Sequence, residues 1–194
     1  MATPARLTRL TEDEYLAIER AAETKSEFYD GQMYAMSGAT YKHTRIVGNL
    51  ITALNNALRE GPCEAVSNDL RVALPGSSFA YPDIVVVCGE PRFRDDEFDT
   101  LLNPVAVVEV LSPSTQKWDR GGKFAYYQKV PTLRHYVLVG QESPAVERFD
   151  RQADGSWLAA QFAWPDGRLA LDSIEVSVPL REIYRRVFDP DQPA

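Results

Sequence analysis

The sequence predicts an α/β fold, a mixed β-sheet flanked by helices, with a helix and hairpin at the N-terminus and β-hairpins toward the C-terminus. Three observations predict it. Short runs rich in β-branched residues, "DIVVVC", "VAVVEVL" and "HYVLV", read as buried strands. A long stretch, "TYKHTRIVGNLITALNNALRE", carries His43, Val47, Leu50, Leu54 and Leu58 at spacings of three and four, the period of an amphipathic helix. These segments alternate with no Gly/Ser- or Pro-rich linker between them, which argues for one layered unit of helices on a sheet over residues 1–194. Residues 1–9 and 189–194 read as flexible tails.

Each element has its own signal. "LTEDEYLAIERAA" opens a helix: Thr11 and Glu14 have capping-box spacing, and Leu10 with Tyr15 fits a hydrophobic staple. "SEFYDGQMYAMS" reads as a hairpin about Asp30 and Gly31. The long helix is stopped by Gly61 and Pro62. "CEAVSNDLRVAL" supplies two short strands or one bent strand, and "YPDIVVVC" a buried strand entered through Asp83. "DRGGKFAYYQKV" is a short helix ended by Pro131. "AVERFDRQADGSWLAAQFAW" is a hairpin about Asp154 and Gly155, a turn at Asp166 and Gly167 leads into "LAL", and "PLREIYRRVF" is a terminal helix with Pro near its first position.

Composition narrows the function classes. The chain has 194 residues, 44% hydrophobic and 25% charged, as expected of a globular protein with a real core. Its apolar runs are too short to span a membrane, and its N-terminus lacks the apolar core of a secretory signal, so a cytoplasmic location is expected. Cys63 and Cys88 read as two buried thiols in a reducing cytosol, which excludes thiolate metal sites. With only His43 and His135, a histidine-built zinc site is also unexpected. "DRGGK" lacks the spacing of a phosphate-binding loop, and no Gly-x-Ser-x-Gly nucleophile elbow occurs. A net charge of −7 argues against a body wrapped in nucleic acid, though not against a local basic strip around a cutting site.

Two carboxylates stand out because they interrupt apolar strands. Side chains alternate across a strand, so Val107, Glu109 and Leu111 share one face, as do Asp83, Val85 and Val87. Pro82 holds Tyr81 extended and sets Asp83 at a strand entry. If the two strands are neighbours, the acids sit side by side. They then need either a proton or a cation, and oxygen-only donors suit Mg²⁺ or Mn²⁺. The competing reading is a structural ion pair for Glu109 and a turn cap for Asp83. Lys123, expected in the first turn of the helix that follows the second strand, leans back toward Glu109. There it could stabilise a pentacovalent phosphate; the alternative is a solvated surface charge. Glu27 is either a pocket acid or a cross-strand surface charge, and His43 either a phosphate contact or a satisfied boundary residue. Asp119 reads as a helix-entry cap or a partner of Lys123. The rings of Trp157, Phe162 and Trp164 in "WLAAQFAW" either form a homodimer surface or close the core.

In this order and spacing, "SEFYDGQMYAMSG", "YKHTRIVGNLITALNNAL", "YPDIVVVC", "PVAVVEVLSPST" and "WDRGGKFAYYQKV…HYVLV" carry a resemblance. The chain resembles the Uma2 family of endonucleases, a former domain of unknown function (DUF820) and a branch of the PD-(D/E)XK superfamily. The resemblance implies a restriction-endonuclease-like fold with its acids on neighbouring central strands. It implies Pro82 and Asp83 as the "PD" and Glu109 as the second acid, with Glu27 matching a further family acid. The motif's lysine belongs two residues beyond Glu109, where this chain has Leu111; the resemblance assigns that role to Lys123. The implied activity is Mg²⁺- or Mn²⁺-dependent hydrolysis of DNA, with Asp83 and Glu109 holding the metal and Lys123 assisting. A homodimer is the expected assembly. The alternative is a nuclease fold that has lost catalysis and serves as a binding or dimerisation module, which the substituted motif lysine and the acidic charge favour.

Overall fold

A computed structural model describes residues 9–67 and 69–191; the segments 1–8 and 192–194, most of what the sequence assigns to tails, lie outside the described residues. Helix α1 (Glu12–Ala21) begins with a complete capping box: the Thr11 hydroxyl accepts from the Glu14 N–H, and the Thr11 N–H donates to the Glu14 carboxylate. Leu10 packs with Tyr15 against Phe28 and Phe79. The hairpin of β1 (Ser26–Tyr29) and β2 (Gln32–Ala35) turns through Asp30 at φ 49° and Gly31 at φ 83°, the pair of left-handed residues that a two-residue hairpin turn requires. Helix α2 (Tyr41–Leu58) is capped by Thr40 and buries Ile46, Val47, Leu50, Leu54 and Leu58.

The strands divide into two sheets and a ribbon, where the sequence predicts one mixed sheet. The central sheet has six strands: β3 (Cys63–Ser67), β6 (Ile84–Cys88), β8 (Ala106–Leu111), β9 (His135–Gly140), β10 (Val146–Arg151) and β11 (Trp157–Phe162). Its order is β11-β10-β9-β8-β6-β3, antiparallel except for the parallel β8–β9 pair at its middle. The second sheet, β2-β1-β5-β4-β7, adds β4 (Arg71–Leu74), β5 (Ser78–Ala80) and β7 (Thr100–Leu101). The segment "CEAVSNDLRVAL" therefore feeds one strand to each sheet. The ribbon pairs β12 (Arg168–Leu171) with β13 (Val176–Pro179).

The central sheet is covered on both faces, which explains its near-continuous apolar strands. One face packs Val86, Val108, Val110, Val137 and Val139 under α2, the ribbon and the short terminal helix α5 (Leu180–Ile183). The other packs Val85, Val107, Leu111, Tyr136 and Leu138 under Tyr127, Val130 and Leu133 and against the second sheet. Helix α5 is one turn rather than the length of "PLREIYRRVF", and Arg186 at φ 61° takes the chain out of helical geometry just beyond it. Trp157 packs edge-on to Phe124, Trp164 edge-on to Tyr184, and Phe162 against the apolar core, so these rings close the core. Among the described residues no helix is long and apolar enough to cross a membrane.

The expectation of two free thiols is overturned. Cys63 and Cys88 face one another across the β3–β6 pair and form a disulfide. Their pairing depends on strand register, which their separation of 25 residues does not reveal. Closing a loop of that size restricts the unfolded chain. Reduction with a phosphine is expected to cost about 3 kcal/mol, read as a lower urea midpoint with a steeper slope, because the reduced unfolded chain is less compact. An unchanged midpoint would mean that the cross-link contributes nothing.

Candidate functional site

The β6–β8 register ends with Ile84 paired to Val108, which leaves Asp83 and Glu109 as the next residues along the two segments. The chain bends at Asp83, just ahead of β6, and the N–H of Val110 donates to Asp83 Oδ2 at 2.7 Å. Asp83 Oδ1 lies 2.9 Å from His43 Nε2, in the first turn of α2. One strand end and one helix start therefore fix both oxygens of Asp83. Glu109 projects from the middle of β8 on the same face as Val107 and Leu111 and is buried.

Lys123 reaches this point from a different place than expected. The helical run after β8 begins earlier, with α3 (Gln116–Trp118), continues as a π-helical segment (Asp119–Lys123) and ends as α4 (Phe124–Tyr127). Lys123 thus closes the widened turn instead of opening a helix. That turn needs one of its two glycines: a Cβ on Gly122 would run into the Trp118 ring, whereas one on Gly121 would meet open space. Widened turns of this kind occur frequently at functional sites. Both residues that bound it, Asp119 and Lys123, are buried, with Lys123 Nζ 3.9 Å from Asp119 Oδ1.

Lys123 Nζ lies 2.9 Å from Glu109 Oε1 and 2.8 Å from Glu27 Oε1. Glu27 comes from β1, in the other sheet, and is held there by the Tyr81 N–H at 3.2 Å and the Tyr29 hydroxyl at 3.0 Å. The structure therefore brings Asp83, Glu109, Lys123, Glu27 and His43 together from five separate elements. Asp119 joins them, as a partner of Lys123. Sequence reading misses the part played by Tyr29 and Tyr81. Tyr29 and Tyr81 hold Glu27, and Tyr127 is fully buried with a hydroxyl that has no hydrogen-bond partner among the described residues. No residue pattern marks them, since tyrosines in strands and helices are usually core.

The electrostatics follow from one ammonium serving several carboxylates. Burial pushes the Glu109 carboxyl well above the usual range; Lys123 opposes this, while Asp119, Asp83 and Glu27 add to it. Asp119 is raised by burial in the same way. Burial works against charge on Lys123, but Glu109 and Glu27 outweigh it and hold the ammonium protonated well above its ordinary range. The cluster has a surplus of acid that a proton or a further cation can satisfy. Among the described residues no group of three or more His, Cys, Asp or Glu is arranged to hold a metal. The donor set nevertheless fits a hard divalent ion, because Mg²⁺ is commonly held by one or two carboxylates, with substrate phosphate and water completing its shell.

Residues 12–181 match the model of the family described as "Uma2: Putative restriction endonuclease". The chain belongs to the Uma2 family. It is 38% identical over 178 residues to the uncharacterized protein slr1290 of Synechocystis sp. (strain ATCC 27184 / PCC 6803 / Kazusa), covering 91% of this chain and 92% of that protein. It is 32% identical over 168 residues to sll1609 of the same organism, also uncharacterized, covering 86% and 95%. A crystal structure of "a putative nuclease belonging to DUF820" from Anabaena variabilis ATCC 29413 superposes with a TM-score of 0.77 at 19% identity, covering 92% of this chain and 99% of that one. The Uma2 chain described above thus shares that nuclease's fold, with mixed sheets flanked by helices.

Proposed function

We propose that this Uma2 chain is a Mg²⁺- or Mn²⁺-dependent endonuclease that hydrolyses DNA phosphodiester bonds. One observation carries the reading: the ammonium of Lys123 stands within 3 Å of both Glu27 and Glu109, and the charge of Asp83, just ahead of β6, acts on Glu109. Asp83 and Glu109 would hold the ion, and a divalent cation bound there supplies Lewis acidity toward the scissile phosphate. His43 and the Val110 N–H orient the two oxygens of Asp83, leaving that carboxylate little freedom to collapse onto Lys123. Lys123 donates hydrogen bonds to the negative charge that grows on the phosphate oxygens as water attacks in line and the P–O bond to the leaving sugar oxygen breaks. Glu27 keeps the ammonium pointed into the site.

The test is a panel of single- and double-stranded DNA and RNA incubated with Mg²⁺, Mn²⁺ or chelator, beside the Asp83→Ala protein. Divalent-dependent DNA cleavage that falls about 10²–10³-fold in Asp83→Ala is expected. Equal cleavage by both proteins would remove the assignment. Leu111 at the position where the motif carries lysine favours the second reading, a nuclease fold that binds without cutting, which predicts no divalent-dependent cleavage anywhere in the panel.

A further inference from the structure

A second cluster of reactive side chains lies on the opposite face of the central sheet. Glu109 and its β9 partner Leu138 face the second sheet, whereas His135, Val137 and Val139 alternate onto the face covered by α2 and the ribbon. His135 is directly cross-strand from Asp150 on β10, and its Nδ1 lies 2.6 Å from Asp150 Oδ1. Its other nitrogen, Nε2, lies 2.7 Å from Ser173 Oγ. Asp150 is itself fixed through Oδ2, 2.6 Å from the Arg148 guanidinium.

With Nδ1–H donating to the carboxylate, Nε2 is left as the acceptor for the serine hydroxyl, and the Ser173 backbone N–H also points at Nε2, at 3.3 Å. This is the tautomer that a general base requires. The ring is buried, and that burial keeps the imidazole below its usual range, neutral and ready to take a proton, against the pull of Asp150. Ser173 is exposed. It sits on a 3-10 turn (Asp172–Ile174) that ends with Glu175 at φ 56°, a left-handed conformation a glutamate rarely adopts. Strained turns of this sort are often found at functional sites. Ser173, Ile174 and Glu175 line a cleft of about 690 Å³, together with Arg92, Asn103 and Arg134. That volume suits a small organic molecule. Its two guanidinium groups against one carboxylate favour a ligand that carries or develops negative charge.

We propose that Ser173, His135 and Asp150 form a second hydrolytic site, separate from the carboxylate cluster, that cleaves small carboxylic esters. Ser173 Oγ attacks the acyl carbon while its proton passes to His135 Nε2. The C–O bond to the alkoxy group breaks as that proton is delivered to the leaving alcohol. Water repeats the sequence on the acyl-serine, giving the carboxylic acid and regenerating Ser173. Asp150 is a positioning residue, holding the imidazole in register and stabilising its protonated form.

The test treats the full-length protein with a fluorophosphonate probe, which bonds covalently to activated serines, and locates the adduct by peptide mass spectrometry. Labelling at Ser173, its absence in Ser173→Ala, and hydrolysis of p-nitrophenyl butyrate that falls roughly 100-fold in Ser173→Ala and in His135→Gln are expected. Ser173 is exposed on a surface turn, so its alanine variant tests the nucleophile without disturbing the core. Asp150→Asn should slow labelling and lower its pH midpoint, since it removes the charge that stabilises the imidazolium and leaves Arg148 and Asp172 as the remaining charges facing the ring. No adduct on the folded wild type, an adduct elsewhere, or unchanged hydrolysis in Ser173→Ala would show that the three residues only pin the ribbon to the sheet.

Discussion

Lys123→Ala should cost about 3–5 kcal/mol of stability and remove cleavage together. The side chain is 6% exposed, and its ammonium is the cation shared by Glu27 and Glu109. Without it, buried carboxylates face one another with nothing between them. Lys123→Ala combined with Glu109→Gln should regain much of the lost stability, because one of those charges is gone. It should not regain cleavage, which requires the charges themselves. Stability is read from urea unfolding and cleavage from the divalent-dependent assay. A double variant that recovers both would reduce the lysine to a structural ion pair. A single variant as stable as the wild type would mean that the shared ammonium is not in place. The penalty should also shrink at low pH. A carboxyl whose folded pKa lies above its unfolded value takes up its proton more readily in the fold, so its contribution is lost only as pH rises out of the ordinary carboxylate range. Glu109 is shifted in that direction, by burial first. Divalent cation should raise the melting temperature of Lys123→Ala, since it can take the place the ammonium leaves.

The sequence shows this arrangement in part, and the limits are physical. Local chemistry is legible where it is self-contained. Thr11 with Glu14 fixes a helix start, Asp30 with Gly31 fixes a hairpin, and the apolar stripe of α2 identifies the helix that covers one face of the central sheet. The acids are legible because a carboxylate among valines needs a reason to be there. What stays hidden depends on partners distant in the chain. Strands β5 and β7 are three and two residues long, too short for a periodic signal. The chain passes between the two sheets at five connections, β2–β3, β3–β4, β5–β6, β6–β7 and β7–β8, and nothing in the residue pattern says that pairing partners change there. The π-helical segment lies over Gly121 and Gly122, which read as weak helix, so the register that carries Lys123 inward is not predictable from spacing. The Cys63–Cys88 bond and the Ser173–His135–Asp150 contact are likewise consequences of register and of the way the ribbon packs. Glu27 is the mixed case: its place in a hairpin is readable, but its approach to Lys123 requires the two sheets to pack together.

Arg71→Ala should be comparably destabilising, by about 3–5 kcal/mol, although it touches no acid of the candidate site. The guanidinium is 2% exposed, 2.7 Å from Asp99, and donates to the Thr100 and Tyr81 hydroxyls at 2.9 and 2.8 Å. It also stacks within 6 Å of the rings of Tyr15, Phe79 and Tyr81. Arg71→Lys should restore little, because an ammonium cannot reach these partners with the geometry of a planar fork. The loss should spread to the site through Tyr81. Its phenol is held by Arg71 and donates to Glu19, while its backbone N–H holds Glu27. Cleavage by the folded fraction should therefore fall with the freedom given to Glu27. An acid titration separates this ion-pair network from simple cavity formation. Hydrogen bonds from Arg20 first and from the Thr100 hydroxyl next, with the charge of Arg71 after them, hold the Asp99 carboxyl far below its ordinary range against its partial burial. Its contribution is then fully present above the unfolded carboxylate pKa and is lost as pH falls toward the depressed folded value. Unfolding midpoints between pH 7 and pH 3 should fall less steeply in Arg71→Ala than in the wild type. Parallel slopes would mean that the buried arginine stabilises the second sheet by packing alone.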